Sequence, residues 1–156
     1  MGISASHLKQ YVITPALQKA GWWCVSAEDL VLGTAMQESG CGTFLKQNSG
    51  PALGIYQIEP ATLNDLFANY LHYHPDLLAK LQNLTGIDHP DTDALVHHLR
   101  YATLICRLIY MRDPTPLPYK TDIIALSKIY KRVFNTPLGK ATEDEFINNW
   151  RKYNDS

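Results

Sequence analysis

A mainly α-helical single domain with a small irregular or β-containing insertion at residues 43–58 is the fold class this sequence predicts, and three observations carry it. Apolar residues recur at helical spacing through most of the chain. Helix-start and helix-stop signals bracket those stretches. Only the segment from Thr43 to Gln57 loses helical period, and it collects Gly50, Pro51 and Gly54. With 156 residues, 46% hydrophobic and 19% charged, the chain can bury one sizeable core and is too short for two ordinary domains, so residues 1–156 read as one unit.

The elements follow in order. Residues His7 to Ala20 predict a first helix, with Leu8, Tyr11, Val12 and Ala16 on one stripe, Ser6 as N-cap, and Pro15 either kinking or restarting it. A second helix runs from Ser26, as N-cap, to Ser39. Glu28 and Asp29 lie in its favourable first turn, and Gly40 and Gly42 stop it. Pro60 opens a third, carrying Leu63, Leu66, Phe67, Tyr70 and Leu71 before Pro75 interrupts it, and Leu77 to Leu84 continue as helix. Asp91 or Thr92 opens one long helix to Met111, ended by the proline-rich loop 113–118. Lys120 to Phe134 form the next, with Ile123, Leu126, Tyr130 and Val133 on one stripe, and Asn135 to Gly139 end it. The last helix has a capping box from Thr142 to Glu145 and an aromatic face of Phe146, Trp150 and Tyr153.

A net charge of −1 gives no basic footprint of the kind a nucleic-acid binder uses, so no nucleic-acid partner is expected. The most apolar stretch, Leu99 to Met111, is broken by Arg100 and Arg107 and is too short to span a bilayer. Cys24, Cys41 and Cys106 are odd in number and lack CxxC spacing, which suits reduced thiols. His72 and His74, like the adjacent His97 and His98, miss the i, i+4 spacing that puts two imidazoles on one helical face, so no metal or other cofactor is expected. Residues 1–7 lack a basic region followed by an apolar one, and no secretory signal is expected.

Glu38 is the residue with a chemical reading. Counting three or four onward from Thr34 and Ala35 puts it on the inward stripe of its helix, in the last turn, at the negative end of the macrodipole. Burial and dipole both favour the protonated form, so its pKa is expected to lie above the usual ~4.3, as a general acid requires. The alternative is a glutamate turned to solvent. Downstream, Gly54 permits close backbone approach. If the following residues are extended, Ile55, Gln57 and Glu59 face one way and Tyr56 and Ile58 the other. A glutamine amide beside a glutamic acid can bind sugar hydroxyl or acetamido groups through donor and acceptor.

Glu38-Ser39, Ser49, Gly54-Ile55-Tyr56-Gln57-Ile58, Pro60 and Thr62 resemble the E-S, S, G-L-M-Q-I and P-x-T blocks of soluble lytic transglycosylase domains. The resemblance is strong from about Leu30 to Leu66. Downstream, the helix from Ile123 to Tyr130 is similar to the A-Y-N-A-G helix end of that family, with one departure: no consecutive Tyr-Asn-Ala-Gly is present. The resemblance implies a lysozyme-like fold, no cofactor, and cleavage of the β-1,4 bond between N-acetylmuramic acid and N-acetylglucosamine in peptidoglycan glycan strands, leaving a 1,6-anhydro end. Glu38 would be the catalytic acid and base, with Ser49, Gly54, Ile55, Tyr56, Gln57, Glu59 and Tyr130 contributing to substrate binding. For Tyr130, cleft lining and core packing are equal alternatives.

The wording of residues 52–60 and 135–140 looks most like bacteriophage and prophage members. That implies synthesis in a host cytoplasm, action at the bacterial wall for penetration or lysis, and phage tail or virion proteins as partners. A virion structural protein with this fold and little activity is one alternative. A hydrolytic muramidase is the other: it needs a second carboxylate, and Glu59 is the acid nearest the motif. Preceding Pro60, Glu59 equally suits a charge at a helix start. Trp22 and Trp23 read as packing between helices rather than sugar platforms.

Overall fold

The structure is a computed structural model describing residues 2–46, 49–136 and 139–154. Gln47, Asn48, Pro137 and Leu138, within two of the stretches singled out above, lie outside the described residues. The first helix continues through Pro15 rather than breaking there. Helix α1 (Ala5–Leu8) passes through a π turn (Lys9–Ile13) into α2 (Thr14–Ala20) without leaving helical dihedrals. Proline has no N–H and crowds the carbonyl four residues back, and widening the preceding turn accommodates both. Ser4 rather than Ser6 holds the N-cap position.

Helix α3 (Val25–Ser39) is the central element, buried on every side from Ser26 to Met36, and it packs against the helices at Glu143–Asn154 and Leu99–Arg112 and against the first π turn. The predicted inward stripe therefore widens until polar Ser26, Glu28, Asp29 and Thr34 are buried along with the apolar residues. Its first residue, Val25, is exposed, and its last turn is partly exposed at Gln37 and Glu38. Its cap differs from expectation: Cys24 Sγ accepts from the Ala27 N–H at 3.3 Å, while Ser26 Oγ donates to the Pro118 carbonyl at 2.6 Å. Gly40, at φ +58, ends the helix in the left-handed conformation.

Helix α4 (Pro60–Asn69) starts on Pro60 as predicted, a 3-10 turn (Leu71–Tyr73) follows, and α5 (Pro75–Thr85) restarts on Pro75. The long helix expected from residue 91 is two: α6 (Thr92–His97), capped by Asp91, and α7 (Leu99–Arg112). His98 takes an extended conformation, and its Nδ1 accepts from the Tyr101 N–H at 3.1 Å. An imidazole N-cap opens α7 where periodicity alone predicted no break. Helix α8 (Ile123–Ile129) begins on an Asp122 cap and passes into a second π turn (Tyr130–Asn135). Helix α9 (Glu143–Asn154) opens on the predicted Thr142 cap, with the Glu145 N–H donating to Thr142 Oγ1 at 3.1 Å.

The molecule is mainly α. Among the described residues the insertion holds no strand, only isolated antiparallel bridges between Lys46 and Leu53 and between Leu53 and Ile58. Helix α9 crosses α3 closely at Gly33, where an added Cβ would lie 2.4 Å from the Phe146 ring. That crossing seats Phe146 beside Tyr130. No helix among the described residues is long and apolar enough to cross a membrane.

Candidate active site

The last turn of α3 delivers Glu38 to the wall of a cleft of about 580 Å³. The opposite walls come from three places: Ala52, Gln57, Ile58, Glu59 and Thr62 around the start of α4; Ile109 of α7; and Val133, Phe134, Asn135, Thr136, Gly139 and Lys140 at the end of the second π turn and beyond it. Glu38, Gln57 and Glu59 therefore share one cavity, although 20 residues of chain lie between the first and the last.

Ser39 brings them together. Its hydroxyl donates to the Ile55 carbonyl at 2.6 Å and accepts from the Gly42 N–H at 2.8 Å, so the residue after Glu38 ties the end of α3 to the insertion. The insertion itself is not extended there. Leu53 and Ile58 exchange two backbone hydrogen bonds at 3.0 Å and close a four-residue turn over Gly54-Ile55-Tyr56-Gln57. Gly54, at φ +80, faces the Leu95 carbonyl so closely that a Cβ would lie 2.0 Å from that oxygen, and Gln57 has the left-handed φ of +49.

This turn replaces the predicted alternation of faces. Ile55 and Tyr56 both enter the core, Tyr56 with its hydroxyl 2.8 Å from Thr103 Oγ1, so neither side chain reaches the cleft. Gly54 shapes the turn and Ser49 is exposed; neither is in the cleft wall. Of the turn, Gln57 is the residue presented to the cavity. Its amide nitrogen donates to the Gly54 carbonyl at 2.9 Å, while its buried Oε1 has no hydrogen-bond partner among the described residues. A buried acceptor left unpaired costs about 1–3 kcal/mol, so a donor arriving there is favoured.

Of its two predicted alternatives, Tyr130 takes core packing and is not among the residues that line the cleft. Its ring is fully buried, stacked on Phe146 at 4.8 Å and on Phe134 at 6.1 Å, and its hydroxyl donates to Glu38 Oε2 at 2.5 Å. It is thus a core residue whose hydroxyl holds a carboxylate of the cleft wall. Burial pushes the Glu38 carboxyl up from its ordinary value, and the Tyr130 hydrogen bond, which favours the carboxylate, pulls part of the way back. The upward direction agrees with the sequence expectation, and desolvation is its cause.

Glu59 occupies the N-cap position of α4 yet makes no side-chain capping bond, and it lines the same cleft as Glu38. Sequence reasoning missed Phe134, Asn135 and Thr136, which form the far wall. The only available signal was their place after the Tyr130 stripe. Trp22 packs against the core, and Trp23 donates its Nε1–H to Glu28 Oε1 at 3.1 Å, away from the cleft residues.

Comparison of the chain with protein-family models, with curated proteins and with solved structures finds no match in any of the three.

Proposed function

We propose that this protein is a peptidoglycan lytic transglycosylase with a lysozyme-like arrangement, in which Glu38 acts first as acid and then as base. The observation that carries the reading is a half-buried glutamate in a cleft wall, its proton affinity raised by burial and its Oε2 held by one phenol donor. The sequence blocks around Glu38 and Gln57 supply the substrate class. Glu38 protonates the bridging oxygen as the bond to C1 of the muramic acid breaks. As a carboxylate it then takes the proton of the C6 hydroxyl, whose oxygen bonds to C1 and closes the 1,6-anhydro ring. No water is consumed, and Glu38 ends protonated. Gln57 supports the reading as well, because an amide side chain lines the same cleft as Glu38.

The sequence wording favours a phage or prophage source and work at the wall during penetration or lysis. Glu59 in the same cleft favours one second reading, a hydrolase in which that carboxylate activates water or acts as nucleophile. Digestion of purified peptidoglycan followed by mass spectrometry tests both. Anhydro-ended fragments that vanish with Glu38→Gln are expected. Reducing ends instead would establish the hydrolase. No released fragments from a folded protein would overturn both and leave a virion structural role.

A further inference from the structure

The cleft adjoins a second cavity, of about 380 Å³, because Thr62, Ile109 and Val133 line both. Beyond that shared wall the second cavity is lined chiefly by charged side chains: Asp65 of α4, Arg112 and Asp113 at the end of α7, and Arg132 of the second π turn. Two ion pairs sit in this wall. Arg112 Nη1 donates to Asp65 Oδ2 at 2.6 Å, and Arg132 Nη2 donates to Asp113 Oδ1 at 3.0 Å and to Thr115 Oγ1 at 2.8 Å.

The four charges cancel, so the ligand chemistry is set by the balance of donors and acceptors and not by a net field. Both aspartates are shared with neutral donors: Asp65 Oδ1 accepts from Asn69 Nδ2 at 2.6 Å, and Asp113 Oδ1 accepts from the Thr115 N–H at 2.9 Å. Each guanidinium carries five N–H donors and commits one nitrogen, and its other nitrogens have no hydrogen-bond partner among the described residues. Side-chain exposures of 37% for Arg112 and 48% for Arg132 leave the uncommitted N–H groups within reach of a ligand. Ion pairs this exposed add little to stability. The surplus in the cavity is therefore of planar donors, the kind that pairs with a carboxylate through two parallel hydrogen bonds.

We propose that this second cavity takes a carboxylate of the peptide stem carried by the muramic acid of the wall glycan, with Arg112 and Arg132 as its donors. The assignment rests on the reading of the cleft as a site for peptidoglycan. Muramic acid is the branched sugar of that polymer, and its branch bears a short peptide with free carboxylates. A groove beside the sugar site meets that branch first. Two or three extended residues cover about 7–11 Å, enough to cross from a sugar in the cleft into an adjoining cavity of this size.

The test measures binding in a Glu38→Gln background by isothermal titration calorimetry, with two probes. One is a peptidoglycan tetrasaccharide bearing its stems, and the other is the same fragment with the stem carboxylates converted to carboxamides. The carboxylate form is expected to bind about tenfold or more tighter. Arg112→Gln and Arg132→Gln should each lower that ratio several-fold, and the two together should bring it near one. Asp65→Asn breaks the same ion pair as Arg112→Gln but leaves the guanidinium in place, so it should keep the ratio or raise it. A ratio near one before any arginine is changed, or an Asp65→Asn loss equal to that of Arg112→Gln, would overturn the proposal. Wall cleavage with a ratio near one overturns it alone, whereas no binding of either fragment overturns it together with the proposed function.

Discussion

At the N-terminal end of α3, Glu28 accepts hydrogen bonds from Thr14 and from Trp23, and Lys9 lies 3.7 Å away. Asp29 accepts from Thr121, and the same lysine lies 3.9 Å from it. At the C-terminal end, Glu38 has Tyr130 as its hydrogen-bond partner among the described residues and faces a cleft. Burial raises the pKa of Asp29 and of Glu38 alike, so a raised pKa does not separate the two ends. What separates them is how their oxygens are used. The Glu28 and Asp29 carboxylates join the first helix, α3 and the segment before α8. Glu38 has one oxygen committed to a phenol and opens onto a cavity large enough for a ligand. One end of the helix is tied into the fold by its carboxylates, and the other faces a cavity.

The sharpest way to break that contrast is Glu38→Gln. General acid–base catalysis contributes about 10²–10⁴-fold, and a single residue serving in both steps belongs at the upper end, so wall-cleaving activity is expected to fall about 10³-fold or more. Stability should not fall with it. A carboxyl whose folded pKa lies above its unfolded value binds its proton more tightly in the native state, so its contribution to stability is fully present below the unfolded pKa and is lost as pH rises through the folded pKa. Glu38→Gln removes that dependence, and thermal unfolding at pH 7 is expected to show an unchanged or higher Tm. A large drop in Tm would make Glu38 a structural carboxylate like Glu28.

Glu28→Ala is the reciprocal test. It leaves the Thr14 hydroxyl and Trp23 N–H without an acceptor and removes a charge facing Lys9. Unfolding in urea is expected to show a loss of about 2–4 kcal/mol, while activity per folded molecule stays within about twofold of wild type. Loss of activity without loss of stability would erase the difference between the two ends.

Tyr130→Phe acts at the C-terminal end alone, since the ring keeps its stacking on Phe134 and Phe146 and only the hydroxyl goes. The Tyr130 bond holds the Glu38 pKa down against burial, so its removal raises that pKa further. Because the proposed reaction needs Glu38 protonated in its first step, the alkaline limb of the kcat/KM profile should move to higher pH, with activity at the optimum down about tenfold. A shift of that limb to lower pH would show that the phenol does not donate to the carboxylate.

These expectations mark where the sequence is legible. Pro60 at a helix start, Gly40 at a helix end, the Thr142 cap and the buried side of Glu38 follow from rules that act over four residues, and each is where the sequence puts it. The insertion is where local reading fails. Alternation assigned Ile55 and Tyr56 to opposite faces, but Leu95 presses on Gly54 and Ser39 holds the Ile55 carbonyl, so the segment turns and both side chains enter the core. Both influences come from residues distant in sequence. The break at His98 has the same character, since its new helix start sits where Tyr101 reaches back to the His89 carbonyl and the Asp91 N–H.

Glu59→Gln carries the smallest expected effect and sharpens the contrast at the C-terminal end. Glu59 sits at the N-cap of α4 and in the cleft, so it belongs by position to both kinds of carboxylate. As a charge at a helix start it contributes about 0.3–1 kcal/mol through the dipole, and its side chain makes no capping bond that the substitution would remove. In the transglycosylase reading the substrate's own hydroxyl replaces water, and Glu59→Gln should lower kcat/KM by less than about threefold, with anhydro products unchanged. A hydrolase needs that second carboxylate in the chemical step, and the same substitution would then cost about 10²-fold or more. The two magnitudes are far enough apart for a single set of digestion rates to decide whether α3 supplies the one working carboxylate of the cleft.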